Sequence, residues 1–212
     1  MPLCWDCRGA LAVISAPFCS VCGEPVYGSI DHDYVCHGCV THPPGYRRAR
    51  AAIHYDDHGK RLVIQFKYNQ ALWLQSLLVE LLASALQSHY ADEAYDGLCA
   101  VPLHPVKRRE RGYNQSMLLA RALSRRVGIP LLGQRSLRRV RPTPSQTRLT
   151  ARQRLTNVKG AFATSRPDEW TGKRLLIVDD VMTTGATVGA CARVLMDAGA
   201  RSVDVITVAR GM

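Results

Sequence analysis

Leu175-Leu-Ile-Val-Asp-Asp-Val-Met-Thr-Thr-Gly-Ala-Thr187 is the stretch that decides the fold of this 212-residue chain. Its first four residues are apolar and rich in branched side chains, which is typical of a strand buried in a parallel sheet. The following segment, Thr187–Ala198, has apolar residues at helical spacing, and Gly199 is placed to cap that helix. A strand, two carboxylates, a glycine turn and a helix in succession predict an α/β fold with a ligand site at the strand's carboxyl end.

The turn between this strand and this helix has the chemistry of a phosphate site. Backbone N–H groups at a helix start are free to bind an anion, and the helix dipole adds positive potential there. Glycine allows the backbone to approach the anion closely, and threonine hydroxyls can donate hydrogen bonds to it. The residues expected to bind a phosphate are Thr183, Thr184, Gly185, Ala186 and Thr187.

The acidic pair Asp179 and Asp180 needs a different partner, because carboxylates repel a phosphate. A ribose diol, or a Mg²⁺ ion bound to that diol, suits them. A phosphate on one side and a diol on the other indicate a ribose 5-phosphate ligand. The alternative is the acidic cap of a surface helix, which an isolated Asp-Asp usually is. The strand, the acids and the threonine turn in register favour the ligand site.

Length and composition limit the class of protein. The chain suits one domain with a small appendage, and 47% hydrophobic residues support a real core. No apolar run is long enough to span a membrane and no signal peptide is evident, which predicts a cytoplasmic protein. The net charge of +11 favours phosphorylated ligands, single-stranded nucleic acid, or both. Much of the basic charge lies between Lys107 and Lys159, which indicates a local role rather than general solubility.

Six of the eight cysteines form three Cys-x-x-Cys pairs near the amino terminus. Two such pairs can complete one tetrahedral zinc site, and the spacing of Cys19, Cys22, Cys36 and Cys39 predicts a structural zinc ribbon. The remaining pair, Cys4/Cys7, could join a histidine (His32, His37 or His42), share a partner's site, or stay free. A thioredoxin-like redox pair is a weaker interpretation of these cysteines, because no βαβ pattern surrounds them. The turn-rich His42–Gly45 segment predicts a domain boundary between residues 1–45 and 46–212.

Two basic segments flank the predicted site. After the apolar strand candidate Leu98–Leu103, four cations precede a glycine and a helix expected over Gln115–Val127: Lys107, Arg108, Arg109 and Arg111. This predicted strand-loop-helix, with the basic loop at Lys107–Arg111, suits a pyrophosphate-sized anion, and a solvated basic loop without a ligand is the alternative. The second segment, Arg135–Asn157, is rich in Arg, Pro, Ser and Thr. It predicts a mobile loop and a short helix that act as a lid on a charged substrate; disorder or nucleic-acid contact are the alternatives.

The opening stretch resembles the phosphoribosyl pyrophosphate (PRPP) motif of type I phosphoribosyltransferases. Four further segments make the chain resemble the ComF/GntX family over nearly its whole length: Val101-Pro-Leu-His, Arg111-Gly-Tyr-Asn-Gln, Thr143-Pro-Ser-Gln and Arg154-Leu-Thr-Asn-Val. The resemblance implies a type I phosphoribosyltransferase fold, a parallel sheet flanked by helices, behind an amino-terminal zinc ribbon. It also implies that Asp179 and Asp180 bind the ribose hydroxyls and that residues 183–187 bind the 5-phosphate. Pro102–Gly112 would then face pyrophosphate, and Arg141–Asn157 would lie in the mobile loop. Family members often carry four cysteine pairs, whereas this chain has three.

Three functions follow as expectations. The first is an active phosphoribosyltransferase, linked to DNA uptake or nucleotide salvage, which transfers a pentosyl group from Mg-PRPP and releases pyrophosphate. No residue indicates a general base, and the acceptor stays open. The second, implied by the resemblance, is a factor in competence, DNA uptake or DNA utilisation that uses the fold to handle single-stranded DNA without catalysis. The third is a regulatory protein that binds a phosphorylated nucleotide. A second copy of the chain or a component of the competence machinery is the expected protein partner.

Overall fold

A computed structural model describes residues 4–132, 137–142 and 150–211 of the chain. Its main sheet has four parallel strands in the spatial order β1-β6-β5-β2. Beyond β2, a parallel bridge between Leu98 and Leu131 extends the edge of the sheet. A separate antiparallel pair is formed by β3 and β4. The strand bounds are β1 Ala49–His54, β2 Gly97–Ala100, β3 Leu137–Arg139, β4 Phe162–Thr164, β5 Arg174–Met182 and β6 Ser202–Arg210.

Eight α-helices occur in the described part of the chain: α1 Trp5–Gly9, α2 His37–Thr41, α3 Asp57–Tyr68, α4 Gln75–Tyr90, α5 Pro105–Arg111, α6 Gln115–Val127, α7 Ala151–Val158 and α8 Ala186–Asp197. Single 3₁₀ turns cover Leu72–Leu74 and Pro167–Glu169. The helix predicted from Gln115 to Val127 is confirmed with the same bounds. The helix after the threonine turn begins one residue earlier than predicted, at Ala186.

The strand β5 forms the centre of the core. Leu176 and Val178 pack into the apolar layer that contains α4 and α6, whereas Leu175 and Ile177 pack into the layer that contains α8. Successive side chains of a strand point to opposite faces, so a strand covered on both faces is apolar throughout. This accounts for the unbroken apolar run in the sequence. The strand continues past both aspartates to Met182, further than the sequence pattern predicted.

The cysteine-bearing segment packs directly on the sheet. The N–H of Ala49 in β1 donates to the carbonyl of Val21 at 2.7 Å, and Arg50 donates to the carbonyl of Ser20 at 2.9 Å. At Gly23, where φ is +66°, a Cβ atom would lie 2.5 Å from the Ala49 carbonyl oxygen, so the turn requires glycine. The boundary between residues 45 and 46 stays a prediction.

Within the described residues, no helix combines the length and the apolar character needed to cross a bilayer. The longest, α4, has 16 residues.

Candidate functional site

The two aspartates are buried at the carboxyl edge of the sheet. Each is less than a tenth exposed. The hydroxyl of Ser116, in the first turn of α6, donates to Oδ1 of Asp179 at 2.6 Å. Lys67, near the end of α3, donates to Oδ1 of Asp180 at 3.2 Å, and its Nζ lies 2.9 Å from Oδ2. The acidic pair is therefore held by side chains from two different helices.

The charge state of the pair follows from its burial. Desolvation, followed by repulsion from Asp180, raises the pKa of Asp179 to about 7. Burial alone would lower the pKa of Lys67, but the charges of Asp180 and Asp179 outweigh it and the pKa is raised. Lys67 thus stays protonated and supplies one positive charge to two carboxyl groups. A further cation, or a hydroxyl-bearing ligand, would stabilise the ionised form of both.

Lys67 and Ser116 were not identified from the sequence. Lys67 is the last residue but one of α3, and Ser116 is the second residue of α6. Their spacing along the chain from the acidic pair carries no periodic signal, since the hydrogen bonds span 113 and 63 residues. Only the packing of α3 and α6 against the sheet brings these side chains to the carboxylates.

A cavity of about 430 Å³ opens in front of the acidic pair. Its walls come from the end of α3, the segment after β2, the helix α5 and the start of α6. This volume lies within the usual range for small-molecule sites, roughly 300–1,000 Å³. Gln70 lines the cavity with φ at +52°, a left-handed conformation that is uncommon for a residue other than glycine.

The threonine turn forms a second, smaller cavity of about 30 Å³, lined mainly by residues 181–188. Gly185 caps the start of α8 with φ at +73°, and a Cβ atom there would lie 2.9 Å from the hydroxyl of Tyr46. Arg154 of α7 donates to the hydroxyl of Thr183 at 2.8 Å. Asp179, Val181 and Thr187 line both cavities, so the two are adjacent.

The four cations expected to face pyrophosphate do not lie on a loop. They belong to α5, which begins with Pro105 after the capping residue His104 and ends at Gly112 with φ at +85°. Proline at the first helical position and glycine just past the end favour a helix here, and Lys107 pairs with Glu110 one turn on at 3.0 Å. Only two of the four cations, Lys107 and Arg111, line the large cavity.

Part of the predicted lid is outside the described residues: Arg135, Ser136 and the segment 143–149, which includes the Thr143-Pro-Ser-Gln motif. Within the described part, Arg138 and Arg139 were predicted to lie in a mobile loop. Instead they lie in β3, which pairs with β4. Arg139 lines the large cavity. Arg141 donates to the carbonyls of Asn157 and Lys159 at 3.1 and 2.6 Å, which ties the loop to the end of α7. The short helix that was predicted to follow is α7, and a Thr150–Gln153 capping box starts it.

Four cysteines come together as predicted. The sulfur atoms of Cys19, Cys22, Cys36 and Cys39 all lie within 4.8 Å of one another, and those of Cys22 and Cys36 are 3.7 Å apart. A tetrahedral zinc with Zn–S bonds of about 2.3 Å requires sulfur pairs about 3.8 Å apart. Cys19 Sγ also accepts the N–H groups of Cys22 and Cys36 at 3.4 and 3.3 Å. This cluster fits a structural zinc ion.

The pair Cys4/Cys7 lies apart from this cluster. Both residues are exposed: Cys4 caps the start of α1 and Cys7 lies within it, and the Cys7 N–H donates to Cys4 Sγ at 3.4 Å. In the described part of the chain, no histidine joins them in a group of three or more metal ligands. Of the alternatives from the sequence, a completed site with a histidine is therefore not formed.

The chain is similar to known proteins over nearly its whole length. A family model of the phosphoribosyl transferase domain matches residues 114–212. Competence protein F of Haemophilus influenzae is 30% identical, and the match covers 98% of this chain and 90% of that protein. DNA utilization protein YhgH of Escherichia coli K12 is 33% identical, with 96% and 94% covered. The chain belongs to the ComF family. Competence protein ComFC of Bacillus subtilis is a more distant relative, at 26% identity over 98% of this chain and 84% of that protein.

Solved structures give a weaker likeness. Adenine phosphoribosyltransferase from Thermoanaerobacter pseudethanolicus is 19% identical with a TM-score of 0.42, and the match covers 67% of this chain and 83% of that one. Glutamine PRPP amidotransferase from B. subtilis is 21% identical with a TM-score of 0.44, over 68% and 30%. The domain match and the parallel sheet flanked by helices establish the predicted type I phosphoribosyltransferase fold. In this ComF-family chain the fold follows a cysteine cluster that can form a zinc ribbon.

Proposed function

We propose that this ComF-family protein binds Mg-PRPP, or another ribose 5-phosphate ligand, across the two adjacent cavities. The observation that carries the proposal is their shared wall: Asp179, Val181 and Thr187 line both the cavity of the threonine turn and the cavity in front of the acidic pair. The 5-phosphate lies in the turn at residues 183–187, and the ribose hydroxyls meet Asp179 and Asp180. A pyrophosphate group then extends toward Lys107 and Arg111, while Arg108 and Arg109 act at longer range.

The residues present fit a magnesium ion. Mg²⁺ prefers carboxylate oxygens together with oxygens of a phosphorylated substrate, and Asp179 and Asp180 offer carboxylates at the cavity wall. Asp179 and Asp180 would hold the ion, and the ammonium group of Lys67, which now pairs with Asp180, would have to give up part of that contact. Because Lys67 lines the same cavity, a lysine released from Asp180 can turn to a pyrophosphate oxygen.

Phosphoribosyl transfer is the reaction that this binding mode supports. An acceptor nucleophile forms a bond to the anomeric carbon of ribose, the bond from that carbon to the pyrophosphate oxygen breaks, and pyrophosphate leaves with the electron pair. Lys107, Arg111 and Lys67 stabilise the negative charge that develops on the leaving group. None of the residues that line the cavity is assigned as a general base. The acceptor must therefore be identified by assay.

The experiment measures PRPP binding by calorimetry with and without Mg²⁺. The Asp180→Asn variant is expected to weaken Mg-dependent binding by a factor of about 10 or more, because it removes one charged hydrogen-bonding group worth about 1.5–3 kcal/mol. Asp197→Asn, at the exposed end of α8, is the matched control and leaves binding unchanged. Equal affinity in wild type and Asp180→Asn would refute the ribose site. Pyrophosphate release from PRPP across candidate acceptors then tests catalysis separately.

A second candidate function, the binding of single-stranded DNA, is favoured by a specific contact. The guanidinium of Arg111 lies 4.9 Å over the ring of Tyr68, which is 59% exposed, and Trp73 is 55% exposed five residues further on. Exposed aromatic rings beside cations suit bases that stack and phosphates that bind nearby. The names of the curated relatives, which refer to competence and DNA utilization, agree with such a ligand.

This candidate is tested by the fluorescence anisotropy of a labelled oligothymidylate at several salt concentrations. We expect Tyr68→Ala combined with Trp73→Ala to weaken binding by about 1–3 kcal/mol per stacked base. Tyr27→Ala removes a still more exposed ring (80%) from the cysteine-bearing segment and is the control. Arg108→Gln combined with Arg109→Gln should flatten the salt dependence. If none of these substitutions changes the affinity or its salt dependence, this surface is excluded as the DNA-binding site.

A further inference from the structure

Arg210 is a buried cation between the cysteine cluster and the threonine turn. It is the last residue of β6 and is 6% exposed. Its Nη1 donates to the carbonyls of Thr183 and Gly211, the second at 2.6 Å, and lies 3.5 Å from the carbonyl of Met182. Its Nη2 donates to the sulfur of Cys22 at 3.7 Å. A single guanidinium therefore contacts a predicted metal ligand on one side and the start of the threonine turn on the other.

The contact with Thr183 sets the orientation of the next amide. The C=O of Thr183 and the N–H of Thr184 belong to one planar trans peptide and point in opposite directions. A carbonyl held by Arg210 thus fixes the direction of the Thr184 N–H. Thr184 lines the small cavity in which we propose that the 5-phosphate binds.

A second contact links the same two regions. Tyr46 packs in the core layer that also contains Cys19 and Cys22. Its hydroxyl lies 2.9 Å from the position that a Cβ atom of Gly185 would occupy. The turn therefore meets the packing of the cysteine segment at both Thr183 and Gly185.

Metal binding bears on this arrangement through Cys22. A zinc ion joins the two cysteine pairs and fixes the position of each sulfur, and hydrogen-bond donors to a metal ligand help to orient that ligand. Glu24, whose Oε2 lies 3.9 Å from Nη2, is 42% exposed at its side chain and is a weaker partner for Arg210. The sulfur of Cys22 is thus the buried acceptor that orients Nη2, and Nη1 on the same rigid group orients the turn.

We infer that Arg210 is a positioning residue through which metal loading of the cysteine cluster sets the conformation of the threonine turn. By linkage, a ligand at the turn must change metal retention by the same factor that the metal changes ligand affinity. The inference rests on the proposed function for the identity of that ligand. The coupling of the two regions does not depend on it.

The test uses the zinc-loaded protein and measures the equilibrium partition of zinc between the protein and a chelating dye, with and without ribose 5-phosphate. Wild type should hold zinc about fivefold or more tightly when ribose 5-phosphate is bound, a factor typical of coupled sites. Arg210→Met should abolish this difference. Arg50→Met is the matched control and should keep it, because Arg50 binds the Ser20 carbonyl of the cysteine segment without reaching the turn.

Hydrogen exchange of the amides at residues 183–187, in zinc-loaded protein without ligand, separates the two ideas. Faster exchange in Arg210→Met than in Arg50→Met supports the coupling, whether or not ribose 5-phosphate binds wild type. Failure of ribose 5-phosphate to bind wild type would refute the proposed ligand alone. The coupling is overturned if two results occur together: amide exchange is the same in Arg210→Met and Arg50→Met, and ribose 5-phosphate binds wild type without changing its hold on zinc. That outcome leaves the proposed function intact. Should Arg210→Met fail to fold, Arg210→Lys, which retains the charge but cannot bridge both sides, gives the same comparison.

Discussion

Asp179 should make the ligand-free protein less stable as the pH rises, and its replacement by asparagine should remove this effect. In the folded state, burial and the neighbouring Asp180 raise the pKa of Asp179 from 3.8 to about 7. The folded protein therefore holds a proton that the unfolded chain loses at about pH 4. Between about pH 4 and pH 7 the unfolded state binds fewer protons, so the free energy of unfolding falls with rising pH.

The size of the effect follows from the shift. One pKa unit corresponds to about 1.36 kcal/mol, so a shift from 3.8 to about 7 corresponds to about 4 kcal/mol. That is a large fraction of the 5–15 kcal/mol typical of a folded protein. Asparagine keeps an oxygen that can accept the Ser116 hydroxyl but carries no charge at any pH. Asp179→Asn should therefore gain stability relative to wild type as the pH rises, by up to about 4 kcal/mol at pH 8.

Urea unfolding of both proteins at pH 5 and pH 8, without Mg²⁺ or ligand, measures this difference. The subtraction removes titrating groups that the two proteins share. Asp197→Asn, which changes an exposed aspartate, should track wild type at both pH values. A stability difference between Asp179→Asn and wild type that is the same at pH 5 and pH 8 would refute the reasoning. We also expect Asp179→Asn to bind PRPP more weakly, because a charge that destabilises the folded protein at a binding site commonly serves to bind the ligand.

Three other changes test the site and its supports. Lys67→Met should destabilise the protein by about 3 kcal/mol at pH 8, because it leaves the Asp180 carboxylate buried without its ion-pair partner; urea unfolding that matches wild type would contradict this. Gly185→Ala should cost at least about 1 kcal/mol and weaken ribose 5-phosphate binding, since φ is +73° and the Tyr46 hydroxyl is 2.9 Å from the new Cβ. Calorimetry of the variant and its ligand titration check both effects. Cys39→Ala should lower the zinc content measured by atomic absorption and lower the melting temperature, whereas Cys4→Ala should change neither, because Cys4 is exposed and outside the cluster. Equal zinc loss in the two variants would show that the metal is held elsewhere.

Much of the candidate site could be predicted from the sequence because its central part is contiguous. A parallel strand, the acidic pair at its end and the threonine turn are consecutive residues, and their order alone places them at one edge of a sheet. The cysteine pairs are equally local, since two residues of spacing suffice to form each half of a metal site. The prediction of a basic loop at Lys107–Arg111 was wrong, because proline, a capping histidine and an ion pair one turn apart form a helix there.

By itself, then, the sequence determined the fold class, the acidic pair, the turn and the four cysteines that form the cluster. Tertiary structure decided what these groups touch. Lys67 and Ser116 reach the carboxylates from helices that no periodic pattern links to them. Arg210 and Cys22 are 188 residues apart in the chain, yet their side chains are in contact. The physical reason is that a buried charge needs an oppositely charged or hydrogen-bonding partner, and that partner can lie anywhere along the chain. The packing of helices on the sheet determines which residues become those partners.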